Sequence, residues 1–133
     1  MSKYSQTNFF KSFNYALHGF RVALKSQRNF VRQLIMAILA VVLAIFLKFS
    51  TVEFCILFIL IAMVLICELL NSVIEFMLDS VFKNKYSKLV EMSKDMAAAA
   101  VCVASFCSIL AGIALFSGKI IPVSYTHLTL PTN

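Results

Sequence analysis

The apolar run from Val52 to Cys67, uncharged after Glu53, ends in four polar residues, Glu68, Asn71, Glu75 and Asp79, three of them carboxylates. A run of this kind crosses a hydrocarbon core as a helix: about 20 residues rising 1.5 Å each match about 30 Å, and a helix satisfies its own backbone groups. The spacings of 3, 4 and 4 put all four polar residues on one side of that helix, since each residue advances about 100° and the offsets nearly cancel over whole turns. Carboxylates at the edge of a bilayer or inside it are costly unless they face protein, water or a ligand, so the stripe is a candidate functional site. Its charge asks for a cation.

Two further apolar stretches, Leu34 to Leu47 and Ala97 to Phe116, accompany the stretch from Val52 to Leu70. With 61% hydrophobic and 14% charged residues and a mean hydropathy of +0.90, the chain lies outside the range of soluble domains. We expect an all-α integral membrane protein, a single domain over residues 1–122 with spans at about 31–48, 52–80 and 97–117. The first span begins far from Met1 and lacks a small-residue cleavage pattern, so it reads as retained rather than as a signal.

Lys and Arg cluster before the first span (Lys3, Lys11, Arg21, Lys25, Arg28, Arg32) and between the second and third (Lys83, Lys85, Lys88, Lys94). The positive-inside rule then puts the N-terminus and the second loop in the cytoplasm. Glu68, Glu75, Asp79, Glu91 and Asp95 fall on that side, where ATP and Mg²⁺ are found. The net charge of +6 belongs to the membrane surface; basic residues that flank spans, with no base-stacking or groove-binding module, make nucleic acid a weak reading, and no nucleic-acid partner is expected. From about residue 8 to 26, Phe9, Phe13, Leu17, Phe20 and Leu24 recur at helical spacings among Lys11, His18, Arg21 and Lys25. This is an amphipathic surface helix, read either as an interfacial anchor or as a cover over a site.

Cys55, Cys67, Cys102 and Cys107 form no C-x-x-C pair and read as small apolar residues. Three glycines cannot build a loop that cradles phosphates, and no P-loop, H-E-x-x-H or G-x-S-x-G pattern is present. A nucleotide would be held by side chains and a metal. Together with Lys94 and Asp95, the stripe can hold a divalent ion and its phosphates while a separate carboxylate acts as base. Helix adhesion or an ion path explains the same residues without catalysis.

The segment Glu68-Leu-Leu-Asn71-Ser-Val-Ile-Glu75 with Asp79, followed by Lys94-Asp95-Met-Ala-Ala-Ala-Ala-Val101, resembles the signature of the prokaryotic diacylglycerol kinase family, which includes undecaprenol kinases. Ser12-Phe-Asn-Tyr15-Ala-Leu-His-Gly19 and Arg28-Asn29-Phe30 look like that family's surface helix and its junction with the first span, so the likeness covers roughly Phe9 to Phe116. The resemblance implies a homotrimeric bundle in the bacterial cytoplasmic membrane that transfers the γ-phosphoryl group of ATP, with Mg²⁺, to a lipid alcohol. It also implies roles: Glu68 as base, Asn71 orienting it or the substrate, and Glu75 on the metal. Asp79, Lys94, Asp95, Tyr15 and Lys11 would lie on the nucleotide side.

The chain departs from the family where Gln27 stands in place of a glutamate that serves many members as a second metal ligand. An amide oxygen can touch the ion but supplies no charge, which leaves open a weakened or non-catalytic bundle; a small transporter is the other alternative. The style of the N-terminal motifs looks closer to the undecaprenol-using branch, and diacylglycerol stays open as acceptor. Residues 123–133 turn polar and β-leaning, the mark of a foreign end, such as translated adaptor sequence, or of a disordered tail.

Overall fold

A computed structural model describes residues 8–128. Its helices, in chain order, are α1 (Phe9–Ser26), α2 (Arg28–Phe46), α3 (Thr51–Phe82) and α4 (Lys88–Leu128). Among the described residues there is no strand, and α2, α3 and the Lys88–Ile121 part of α4 are each long and apolar enough to cross a membrane.

The Asn8 side chain accepts the Lys11 backbone N–H at 3.0 Å and so satisfies one of the donors that the start of α1 leaves open. The helix ends at Gln27, whose extended backbone (φ −115°, ψ 102°) turns the chain into α2. Phe9, Phe10 and Phe13 remain exposed along α1, while Phe20 meets Phe30 of α2 edge to face with ring centroids 5.2 Å apart. Phe30 is 0% exposed. Phe30→Ala should therefore cost about 3–5 kcal/mol and loosen α1 from α2. Earlier thermal unfolding in detergent and faster tryptic cleavage at Arg21 and Lys25 would show it.

At the far end of α2 the chain reverses through Lys48, in a left-handed conformation (φ 55°), and restarts at a capping box. There the Ser50 hydroxyl accepts the Glu53 N–H at 3.3 Å, and the Glu53 carboxylate accepts the Ser50 N–H at 3.0 Å. Lys119 of α4 reaches this turn, with Nζ 2.9 Å from Glu53 Oε1 and 3.3 Å from the Lys48 carbonyl oxygen. Beneath it Phe49 packs against Phe54 and Phe116, their ring centroids 5.8 and 4.9 Å away. Aromatic packing and one ion pair thus hold all three spans together at the end farthest from the carboxylate stripe.

The most extensive packing is between α3 and α4. Ala97 and Ala104 of α4 are buried, and Ser108 Oγ donates to the Leu60 carbonyl at 3.4 Å, as expected where small residues let helix backbones approach. The apolar stretch expected from residue 97 is part of a helix that already begins at Lys88. Leu89 to Met96 is amphipathic and carries no breaker, and Val90 is buried on the same side as Ala97, one heptad away, so this segment and the span form one element. α4 also continues through Leu128, where the sequence suggested a β-leaning or disordered tail. Pro122 lies inside this helix and offers no N–H to the carbonyl four residues earlier, so one backbone bond of the helix is missing there. Residues 129–133 of that tail lie outside the described residues.

Candidate active site

α3 aims Glu68, Asn71 and Ser72 into the bundle, where they are 2%, 8% and 4% exposed, whereas Glu75 and Asp79 are half-buried nearer its end. The expected stripe is therefore one face of one helix. At 1.5 Å per residue Glu75 stands about 10 Å, and Asp79 about 16 Å, along the axis from Glu68.

Each polar side chain of the stripe is held by a neighbour. Gln33 of α2 donates its Nε2–H to Glu68 Oε2 at 3.1 Å. Asn71 Nδ2 donates to Glu75 Oε1 at 3.3 Å. Ser72 Oγ donates to the Glu68 carbonyl at 2.9 Å. Lys94 Nζ donates to Asp79 Oδ1 at 2.5 Å, bridging the end of α3 to the start of α4. Gln33 Oε1 and Asn71 Oδ1 are buried with no hydrogen-bond partner among the described residues. A buried acceptor left open in this way is suited to a donor brought by a ligand.

Beyond Asp79 lies a cleft of about 290 Å³ between the end of α3, the turn after it and the start of α4. Asp79, Phe82, Tyr86, Glu91 and Lys94 line it. Lys83 and Asn84 adopt left-handed conformations (φ 49° and 61°) that make the turn sharp enough to form this pocket. Tyr86 Oη donates to Glu91 Oε2 at 2.5 Å. That carboxylate pushes the Tyr86 phenol above its ordinary range, with a smaller push from burial, so it stays a hydrogen-bond donor. On the other side of Gln33, an apolar groove of about 260 Å³ runs between α2, α3 and α4 past Ala37, Ala40, Leu57 and Gly112.

The remaining expected site residues are less closely gathered. Lys11 and Tyr15 are exposed on α1, whose main packing partner is α2. Gln27 is half-buried at the α1–α2 junction, and Asp95 is exposed next to Lys94. Among the described residues no three His, Cys, Asp or Glu side chains gather into a metal cage. Half-exposed Glu75, with one oxygen on Asn71, still fits Mg²⁺, which binds through one or two carboxylates and completes its shell with water and phosphate oxygens. In the sequence Gln33 gives only a weak signal, a lone amide entering the first apolar stretch, and nothing in the residues around Tyr86 marks a cleft.

Comparison with known proteins identifies the family. The family model described as prokaryotic diacylglycerol kinase matches residues 14–116. An undecaprenol kinase of Bacillus subtilis is 34% identical over 112 residues, which is 84% of this chain and 90% of the relative. A diacylglycerol kinase of Escherichia coli is 31% identical over 104 residues, 78% of this chain and 84% of the relative. One from Synechocystis is 30% identical over 105 residues, 79% of this chain but 60% of that longer relative. With the matched region covering most of the surface helix and all of the carboxylate stripe and the Lys94 pair, the chain belongs to the prokaryotic diacylglycerol kinase family and is a membrane lipid kinase.

Proposed function

We propose that the protein transfers the γ-phosphoryl group of ATP to the hydroxyl of a membrane lipid alcohol, with a polyprenol such as undecaprenol favoured over diacylglycerol. The observation that carries the reading is the order of groups along α3. The cleft with Lys94 lies at its end, Glu75 is one turn in, and the buried Glu68 is two turns deeper, toward the apolar part of the bundle. ATP entering the cleft meets Lys94, whose three N–H donors can hold Asp79 and a phosphate oxygen together. Asp95, Lys11 and Tyr15 complete the nucleotide side. Glu75, with help from Gln27, would hold Mg²⁺, which when bound neutralises phosphate charge and fixes the phosphates for in-line attack. Glu68 takes the proton of the lipid hydroxyl as its oxygen bonds to the γ-phosphorus and the bond to ADP breaks. Positioning and charge neutralisation supply most of what phosphoryl transfer needs, so no P-loop is required.

The acceptor preference draws on the undecaprenol kinase relative, which is covered over 90% of its length. We also infer a homotrimer in the bacterial cytoplasmic membrane with its N-terminus inside. Apolar spans with few buried side chains leave room for neighbouring subunits, and the clustered Lys and Arg residues favour that orientation. The test is phosphate transfer from radiolabelled ATP in Mg²⁺-containing micelles, comparing undecaprenol with diacylglycerol and using Glu68→Gln as control. Faster labelling of undecaprenol is expected, and faster labelling of diacylglycerol reverses the acceptor preference. ATP-independent ion flux in proteoliposomes, without lipid labelling, would overturn the kinase mechanism.

Gln27 gives a separate prediction. Gln27→Glu adds a charged oxygen ligand and should lower the Mg²⁺ concentration needed for half-maximal rate by about tenfold, the scale of one added favourable contact to an ion. An unchanged Mg²⁺ titration would place Gln27 outside the metal shell.

A further inference from the structure

Glu68 ends in a carboxylate that can rotate, and a base works only if one oxygen is held toward the proton it takes. In this structure a residue 35 positions away supplies the restraint: Gln33 Nε2 donates to Glu68 Oε2 at 3.1 Å. Ser72 steadies the same residue from behind, but through its backbone carbonyl, so it does not fix the carboxylate. Asn71, the neighbour along the stripe, gives its N–H to Glu75 instead. A glutamine placed only to hold two helices together would satisfy both ends of its amide, yet Gln33 Oε1 is buried with no partner among the described residues. The amide is committed to Glu68 at one end and open at the other. Gln33 also lines the apolar groove between the spans, which puts it where the polar site meets the hydrocarbon side of the bundle.

We propose that Gln33 is a positioning residue for phosphoryl transfer. Its N–H occupies Glu68 Oε2 and turns the carboxylate so that Oε1 takes the proton of the lipid hydroxyl, while the open Gln33 Oε1 accepts no proton and changes no charge. The proposal rests on Glu68 being the proton acceptor.

The test uses the full chain in lipid micelles with ATP and Mg²⁺, comparing Gln33→Met, Gln33→Asn, Glu68→Gln and the double variant Gln33→Met/Glu68→Gln. Gln33→Met keeps the length and removes the donor, and should lower kcat about 10- to 100-fold, as a misaligned reacting group does. KM for ATP and for lipid should stay within about twofold, and the double variant should be no more than about twofold slower than Glu68→Gln alone, because a restraint on an absent base has nothing left to do. A merely structural role would instead move both KM values or multiply its loss onto the Glu68→Gln background, and either result overturns the proposal, as does a wild-type kcat in Gln33→Met. If Gln33→Met does not fold, Gln33→Asn, whose amide is one methylene too short to reach, must show the same kcat-only loss for the proposal to stand. Glu68→Gln with an unchanged kcat would defeat the proton-acceptor role itself, whatever the Gln33 variants do.

Discussion

Glu68→Gln should lower kcat about 10²- to 10⁴-fold, or roughly 3–5 kcal/mol of barrier, with ATP affinity nearly unchanged. Glutamine matches the shape of glutamate and still offers a carbonyl oxygen to Gln33 Nε2, so the buried contact and the packing around it survive. What disappears is the ability to take a proton. That ability matters only as the lipid hydroxyl attacks, so the loss falls on the transition state and not on nucleotide binding. Single-turnover kinetics and a nucleotide-binding isotherm on the same preparation make the comparison. Equal loss of ATP binding would move Glu68 into the metal shell and leave the base to be found elsewhere.

Lys94→Met should raise the KM for ATP and lower kcat, together about 10²- to 10³-fold in kcat/KM, the scale of losing one preorganised group aimed at developing phosphate charge. Two effects act in the same direction. The cleft loses its cation, and Asp79, now without its partner at 2.5 Å, turns an uncompensated carboxylate toward the phosphates. Adding Asp79→Asn to Lys94→Met returns the pair to zero net charge and should recover part of the ATP KM but little of kcat. If Lys94→Met leaves the ATP KM unchanged, the pair only ties α3 to α4 and the phosphates bind elsewhere.

How far the sequence carried this picture depended on the range of each interaction. The spans were legible because apolar composition and the absence of helix breakers act over a few neighbouring residues, and α2 and α3 fall within a few residues of their expected limits. The common face of Glu68, Asn71, Glu75 and Asp79 followed from spacing alone, since helix geometry fixes it. The start of α4 was less legible: Leu89 to Met96 is amphipathic where the rest of the helix is apolar, and a change in polarity looks like a change of element although the backbone runs on. Asn84 is a residue type that tolerates the left-handed region but Lys83 is not, so a break is legible there while two successive left-handed residues and the cleft they form are not.

Membrane helices with a carboxylate stripe near the end of the second span could be read from the residues alone, because periodicity and hydropathy are local. Which residues serve that stripe emerged from the packing of the helices. Gln33 meets Glu68 across 35 residues and Lys94 meets Asp79 across 15, while Lys119 closes the opposite end on Glu53. Those pairings depend on the depth at which each helix crosses its neighbours. Depth is set by side-chain packing along whole helices, such as Phe30 against Phe20 and Phe49 against Phe116, and no single segment of sequence contains it.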